Sequence, residues 1–199
     1  MNFIKDFTNI FKSLSEDLEM YLKKDPVATS KIKVFFTNTA FHGLMNYRFY
    51  HFFHKYKIYP VSFILYTLTK IFYTMDIHPG ADIHPGVVID HGLGIVIGET
   101  ASVGTGTLIY HGVTLGAKKV SKGKRHPDVG NNVMLGAGAK VLGPIFIGDG
   151  AVVGANSVVL MDIPPKSVAV GIPAKIRKIN CPTYSMCNLE STINSDFVI

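Results

Sequence analysis

The sequence predicts a mixed fold, in which an N-terminal α-helical segment is followed by a parallel β-solenoid. Two observations carry this prediction: apolar residues recur every three to four positions near the N-terminus and every six positions from Met75 onward. A third agrees with it, because most aromatic residues lie before Asp76, while the 19 glycines and 10 prolines suit a chain with many turns. The two regions are therefore expected to pack by different rules.

Three helices are expected in the N-terminal segment. The first is amphipathic and should end near Lys24, because the residue before a proline avoids the α region. Asp25 is expected to cap a phenylalanine-rich second helix with Pro26 at its first position. A third helix is expected from about residue 62 to 74.

The solenoid is predicted from aliphatic residues that recur at six-residue steps. Three runs share this spacing: Ile77, Ile83, Ile89 and Ile95; Ile97, Val103, Ile109 and Leu115; Leu135, Val141, Ile147, Val153 and Val159. Neither an α-helix nor a simple alternating strand has this period. A solenoid has it when one aliphatic side chain per side points inward and three sides close a triangular coil.

The six-residue period breaks once and ends once. Between Leu115 and Leu135 lies a polar excursion rich in lysine, and such loops on rigid scaffolds often carry function. The pattern ends after Ile176. The predicted domains are a helical domain (1–74), a catalytic β-helix domain (75–176) and a flexible C-terminal tail (177–199).

Composition narrows the classes of partner. The net charge is +6, but the basic residues cluster in the excursion without aromatic neighbours, which favours a phosphate-bearing cofactor over nucleic acid. On charge alone, a solvated loop explains the cluster equally well. Cys181 and Cys187 form no disulfide framework, and His78 and His84 lack a third ligand at metal-site spacing, so no metal is expected.

The N-terminus does not have the pattern of a secretory signal, and the most apolar stretch is too short to span a membrane. A cytoplasmic protein with no membrane or nucleic-acid partner is therefore expected.

Several stretches resemble the signature of the serine O-acetyltransferase family, a hexapeptide-repeat acyltransferase family, in order and at family spacing. They are Asp25-Pro26, Phe41-His42, Asp76-Ile-His-Pro, residues 89–100, Val113-Thr-Leu-Gly116, Arg125-His126-Pro127, residues 136–140 and Gly171-Ile-Pro-Ala174. The resemblance covers about residues 25–176. It implies a left-handed β-helix, although parallel crossovers are normally right-handed.

The resemblance implies that His91 is a general base and that Asp76 is its orienting carboxylate. Imidazole titrates near neutrality, so it can take the proton of an attacking hydroxyl and return it to a leaving thiolate. A carboxylate on the other ring nitrogen would fix the tautomer and stabilise the imidazolium. The alternatives are a cap at the start of the solenoid for Asp76 and a corner hydrogen bond for His91.

The implied acceptor is a zwitterionic amino acid. Asp25 and Asp90 match family positions at the serine end of the site, where acidic groups suit an ammonium. Arg125 suits a carboxylate through a bidentate fork, and His126 matches a second substrate histidine. On local sequence alone, Asp25 could equally be a helix cap and Arg125 a solvated loop residue.

The implied co-substrate is acetyl-CoA, which would lie in a groove between neighbouring solenoids. Gly116, Ala137 and Ala155 are small enough to allow its close approach, and Lys140 could pair with its phosphates. The alanines could also be ordinary corner residues of the repeat.

These matches predict transfer of acetyl to L-serine, giving O-acetylserine for cysteine biosynthesis. One alternative is an O-acetyltransferase acting on a sugar or another hydroxyl acceptor, and such relatives usually lack the pairing of Asp25 with Arg125. Another is a non-catalytic scaffold, which would not need Asp76 and His91. Lys124 departs from the family, where an acidic residue usually precedes the Arg-His pair.

The resemblance also implies partners. L-cysteine is expected to inhibit, because it shares the ammonium and carboxylate of serine. A homotrimer is expected, or a dimer of trimers, with the short helical region favouring the trimer. Cysteine synthase is expected to bind the C-terminal Ile199, for which an ordinary tail is the alternative.

Overall fold

The computed structural model describes residues 2–177, which form four helices and then fifteen short strands. The helices are α1 (Phe3–Lys24), α2 (Lys31–Thr37), α3 (Thr39–Lys55) and α4 (Tyr59–Tyr73). The first helix ends at Lys24, as predicted. The tail from residue 178, with Ile199, lies outside the described residues.

The prediction that Asp25 caps a second helix is wrong. The backbone N–H of Asp25 donates to the Tyr21 carbonyl at 2.9 Å and so closes α1. Its carboxylate accepts the Val27 N–H at 2.8 Å, which holds a turn instead of a helix start. The side chain of Asp25 is thereby fixed at the end of α1, facing the solenoid.

The predicted second helix is in fact two helices. Ser30 caps α2 by accepting the Lys33 N–H at 3.2 Å. Asn38 then leaves the helical conformation and caps α3 by accepting the Phe41 N–H at 2.9 Å. A side-chain acceptor within the phenylalanine-rich stretch therefore divides it. The last helix begins at Tyr59, a few residues before the expected start.

The strands form three sheets that are the sides of a left-handed parallel β-helix, and the last strand turns back to pair antiparallel with the strand before it. The five-stranded sheet holds β1 (Asp76–Ile77), β4 (Val96–Ile97), β7 (Thr114–Gly116), β10 (Lys140–Leu142) and β13 (Val158–Val159). The four-stranded sheet holds β2 (Asp82–Ile83), β5 (Ser102–Val103), β8 (Asp128–Val129) and β11 (Phe146–Ile147). The six-stranded sheet holds β3 (Val88–Ile89), β6 (Leu108–Ile109), β9 (Met134–Leu135), β12 (Val152–Val153), β14 (Val168–Gly171) and β15 (Ala174–Arg177).

The predicted six-residue period is confirmed by the burial of the aliphatic residues. On the five-stranded sheet one column of inward side chains is at most 1% exposed, namely Ile77, Ile97, Leu115, Val141 and Val159. The polar excursion enlarges one coil, because Leu115 pairs with Val141, 26 positions on, whereas Val141 pairs with Val159, 18 positions on. The excursion is thus an insertion of eight residues relative to an 18-residue coil.

The turns before and after the strands of the five-stranded sheet stack into two columns of corners, one along each side of this face of the solenoid. We call these two columns the leading edge and the trailing edge. The chain enters this sheet at the leading edge (residues 90–95, 110–113, 136–139 and 154–157) and leaves it at the trailing edge (residues 98–101, 116–127 and 142–145). The excursion therefore belongs to the trailing edge.

No helix within residues 2–177 is both long enough and apolar enough to cross a membrane. The cytoplasmic location stays a prediction.

Candidate active site

His91 lies on the leading edge, in a corner that is longer than the others. Ile77 pairs with Ile97, 20 positions on, so this first coil has two residues more than the next, in which Ile97 pairs with Leu115. His91 has φ +59°, a left-handed backbone that turns its side chain out of the solenoid. The ring is 70% exposed, packs at 5.9 Å against the ring of His111 and lies 3.8 Å from the Asp90 carboxylate. An accessible imidazole therefore projects from the corner.

Asp76 lies in β1, beside the same edge. The neighbouring Thr74 carbonyl accepts the Gly94 N–H at 3.1 Å, which places β1 next to the corner that holds His91. The carboxylate of Asp76 accepts hydrogen bonds from the Tyr66 hydroxyl and, at 2.8 Å, from Lys70 Nζ. Burial alone would raise the pKa of Asp76, but these two donors outweigh it and hold the pKa below its ordinary value.

Asp76 lies on the strand that adjoins the corner of His91, but the two side chains have different partners. Within residues 2–177, the carboxylate of Asp76 bonds Tyr66 and Lys70, and no hydrogen bond or ion pair links it to His91. The pairing of these two residues stays a prediction. What the geometry provides is a charged carboxylate on the strand that adjoins the corner with the exposed imidazole.

Asp25 and Asp90 line one small cavity at the leading edge, with a volume of about 50 Å³. Tyr21, Lys24 and Tyr110 also line it. Both carboxylates are partly buried, and burial lowers the pKa of Lys24. The structure thus brings together the two acidic residues that were predicted from the sequence, and it adds Lys24, which the prediction missed, to the same cavity. Two carboxylates around a cavity of this size suit a small cation such as an ammonium.

Arg125 and His126 lie on the trailing edge. Arg125 Nη2 pairs with Glu99 Oε2 at 2.5 Å, and this partner lowers the pKa of Glu99. His126 is 8% exposed, and its pKa is lowered first by burial and then by the charge of Arg125. The hydroxyl oxygen of Thr100 accepts the backbone N–H groups of both Arg125 and His126, each at 3.1 Å. The result is a fixed pair of donors suited to an anion.

Sequence reasoning did not assign roles to Glu99 and Thr100. They follow Gly98 in a stretch that matched the family pattern, which is the signal that could have identified them. Lys124, the departure from that pattern, donates at 2.6 Å to both the Thr100 carbonyl and Asp128. It therefore braces the excursion against the solenoid.

The acidic and basic groups lie on opposite edges of the same sheet. Asp25, Asp90 and His91 are on the leading edge, whereas Arg125 and His126 are on the trailing edge. Since a strand advances about 3.3 Å per residue, one six-residue side separates the two groups by roughly 15–20 Å. A molecule as small as an amino acid cannot contact both groups of one chain.

The small residues predicted to contact a cofactor continue along the leading edge. The His111 carbonyl accepts the Gly138 N–H, and the Ala137 carbonyl accepts the Asn156 N–H, each at 2.8 Å, so the corners stack in one column below His91. Ala155 is the corner residue of the last of these coils, and Lys140 Nζ donates to the Gly112 carbonyl in the same column. Gly116 lies instead on the trailing edge, at the end of β7.

Among residues 2–177, no three histidine, cysteine, aspartate or glutamate side chains are grouped so that they could hold a metal ion. His78 Nδ1 accepts the Gly80 N–H at 3.0 Å, and His84 lies 3.7 Å from Asp82.

Known proteins share this fold and part of this sequence. The family model described as bacterial transferase hexapeptide (six repeats) matches residues 126–160. The chain is 49% identical over 162 residues to a serine acetyltransferase of Helicobacter pylori (strain ATCC 700392 / 26695), covering 81% of this chain and 95% of the relative. The solved serine acetyltransferase of Neisseria gonorrhoeae in complex with serine superposes with a TM-score of 0.83 at 37% identity, over 86% of this chain and 70% of that one.

Two further solved serine acetyltransferases, one in complex with CoA and one with cysteine, superpose with TM-scores of 0.82 and 0.84, each at 36% identity. The alignments cover 85% and 86% of this chain and 70% and 71% of theirs.

Proposed function

The chain belongs to the serine acetyltransferase family, which transfers acetyl from acetyl-CoA to the hydroxyl of L-serine to give O-acetylserine, and we propose that His91 is its general base. His91 removes the proton of the serine hydroxyl while the oxygen bonds to the thioester carbonyl carbon. When the carbon–sulfur bond breaks, His91 returns that proton to the thiolate. No acyl-enzyme is needed, because the two substrates react directly.

Asp76 is the orienting carboxylate in this proposal. In this proposal the exposed ring of His91 turns toward β1, where Lys70 and Tyr66 keep Asp76 charged. A carboxylate beside the ring stabilises the imidazolium that forms when the base takes its proton.

The acceptor site is made by two chains of a homotrimer. Asp25 and Asp90 of one chain bind the ammonium of serine, and Arg125 and His126 of its neighbour bind the carboxylate. This arrangement is supported by their position on opposite edges of one sheet, which keeps a single chain from surrounding a small amino acid. Neighbouring solenoids that meet leading edge to trailing edge would bring the two groups together.

The acetyl-CoA groove follows the leading edge away from His91. Ala137 and Ala155 leave room for close approach of the cofactor, and Lys140 supplies a cation for its phosphates. Gly116 would face them from the trailing edge of the neighbour. A solved relative in complex with CoA supports this choice of co-substrate.

The observation that carries the proposal is the 49% identity to a serine acetyltransferase over 81% of the chain. The test is CoA release from acetyl-CoA by the purified protein, with L-serine and a panel of sugars and other hydroxyl acceptors. Serine should be the preferred acceptor by kcat/KM. Preference for a sugar would overturn the proposed acceptor, and release of CoA without any acceptor would overturn direct transfer.

Cysteine synthase is the proposed protein partner, bound through Ile199. A terminal carboxylate with one apolar side chain suits capture by backbone donors. Deletion of Ile199 should weaken binding to the cysteine synthase of the same organism, measured by titration calorimetry, and leave acetyl transfer unchanged. Equal affinities of the full-length and shortened chains would contradict this role.

A further inference from the structure

Thr100 touches both residues proposed to bind the serine carboxylate. Its hydroxyl oxygen accepts the backbone N–H groups of Arg125 and His126, each at 3.1 Å. Its own backbone N–H donates to His126 Nδ1 at 3.1 Å, and its hydroxyl lies 2.9 Å from that nitrogen. One residue thus holds the backbone of both carboxylate-binding residues and the ring of one.

These contacts determine where the proton of His126 lies. A backbone N–H can only donate, so Nδ1 of His126 must be an acceptor and carries no proton. The hydroxyl oxygen of Thr100 already accepts two amide protons, so its own proton also points to Nδ1. A neutral imidazole has a single N–H, which must then be on Nε2.

The ring is also fixed in place and kept neutral. It lies so close over Gly98 that a Cβ on this glycine would overlap Nε2. Burial, followed by the charge of Arg125, lowers the pKa of His126; Lys124 and His78 act in the same direction, and Glu99 opposes them. At neutral pH the ring is therefore uncharged, and it acts as a donor from Nε2.

We propose that Thr100 is a positioning residue of the acceptor site, which fixes His126 as a neutral Nε2–H donor to an anionic oxygen of the acceptor. The identity of that acceptor rests on the proposed function, whereas the tautomer does not. In this arrangement His126 cannot serve as a second base, because the nitrogen with a free lone pair is already occupied by Thr100.

The tautomer can be measured without activity. Nitrogen NMR of ¹⁵N-histidine-labelled protein at neutral pH should show His126 as the Nε2–H form, with its signal identified by loss in His126→Gln. Thr100→Val removes the hydroxyl, one of the two donors to Nδ1, and keeps the backbone N–H, so the pKa of His126 should rise, and Thr100→Ser should restore the lower pKa. An Nδ1–H or charged ring in the unmodified protein, or the same titration in Thr100→Val, would overturn the proposal.

Steady-state kinetics then distinguish a positioning role of Thr100 in the acceptor site from a general role in the stability of the fold. Thr100→Val should raise the KM for serine about tenfold, the effect of one lost hydrogen bond, with the KM for acetyl-CoA unchanged. Thr100→Ser should stay within about threefold of the unmodified protein, because it keeps the hydroxyl. Equal increases in both KM values, or no increase for serine, would contradict the role.

The proposed function and the Thr100 proposal fail in different ways. If the unmodified protein does not acetylate serine, the proposed function is wrong, and the NMR result alone judges Thr100. If it does, and Thr100→Val matches it in both experiments, only the role of Thr100 is wrong.

Discussion

Asp76 is held as a charged group by contacts that belong to the helical part of the chain. Lys70 and Tyr66 both lie on α4, so this helix sets the protonation state of a residue on the first strand of the solenoid. Because the pKa of Asp76 is lowered, the carboxylate stays ionised throughout the neutral range. A negative charge near the corner of His91 stabilises the imidazolium that forms when this base takes a proton.

Replacing His91 should remove acetyl transfer and leave the fold intact. Loss of a general base typically costs about 10²–10⁴-fold in kcat. His91→Asn is the better-matched variant, because asparagine tolerates the left-handed backbone at this position, and His91→Ala should behave alike. Asp76→Asn should cost less, since it removes charge and orientation and leaves the base. Initial rates with both substrates saturating, alongside circular dichroism of each variant, test this; near-full turnover by folded His91→Asn would rule out its role.

Free L-cysteine should compete with L-serine for the acceptor site. The two amino acids share the ammonium and carboxylate that Asp25, Asp90, Arg125 and His126 are proposed to bind, and they differ at one atom. Initial rates at several serine concentrations should show an increased KM for serine and an unchanged kcat. If excess cysteine leaves the rate at low serine unchanged, the proposed acceptor residues are wrong.

The helices close the open end of the solenoid. The first coil has no coil before it, so its backbone groups need other partners. Buried tyrosine hydroxyls supply one such partner on each of the three sides of this coil. Tyr50 donates to the Ile77 carbonyl at 2.7 Å, Tyr47 to the Ala81 carbonyl at 2.7 Å, and Tyr21 to the Ile89 carbonyl at 2.8 Å. The helical segment is therefore a cap that the β-helix requires.

Removing one hydroxyl of this cap should destabilise the fold. Tyr47 also accepts the Ile83 N–H at 3.1 Å, so Tyr47→Phe leaves two buried backbone groups unpaired. We expect a loss of about 1–3 kcal/mol in the free energy of unfolding. Tyr59→Phe is the matched control, because Tyr59 is exposed and loss of its hydroxyl should leave the stability unchanged. Denaturant unfolding checks this, and equal stabilities of the two variants would contradict the capping role.

The elements also show what a sequence can and cannot predict. The solenoid was predictable because the burial of one aliphatic residue in six appears directly in the sequence as a six-residue period. The division of the second helix at Asn38 was missed, because a capping side chain competes locally with a strong apolar pattern. The clustering of Asp25 with Asp90 followed from the family resemblance, whereas the engagement of Asp76 by Lys70 needed three-dimensional packing.

One chain carries half of each of two different sites. The leading edge holds the proposed base and ammonium-binding residues, and the trailing edge holds the proposed carboxylate-binding residues. The helical part also leaves apolar side chains exposed on α4, with Ile64 61%, Ile71 65% and Phe72 72% exposed. Apolar exposure of this kind agrees with a chain that contacts further copies of itself.

Subunit complementation tests whether the acceptor site is shared between chains. His91→Asn and Arg125→Ala chains, each inactive at low serine, are co-expressed with different tags and purified through both. A trimer that holds both variants has one intact site in three if each site uses His91 of one chain and Arg125 of the next, so about a third of the unmodified activity should return. Activity no greater than the sum of the two separate variants would mean that each chain contains its own site, which would contradict a site shared between chains.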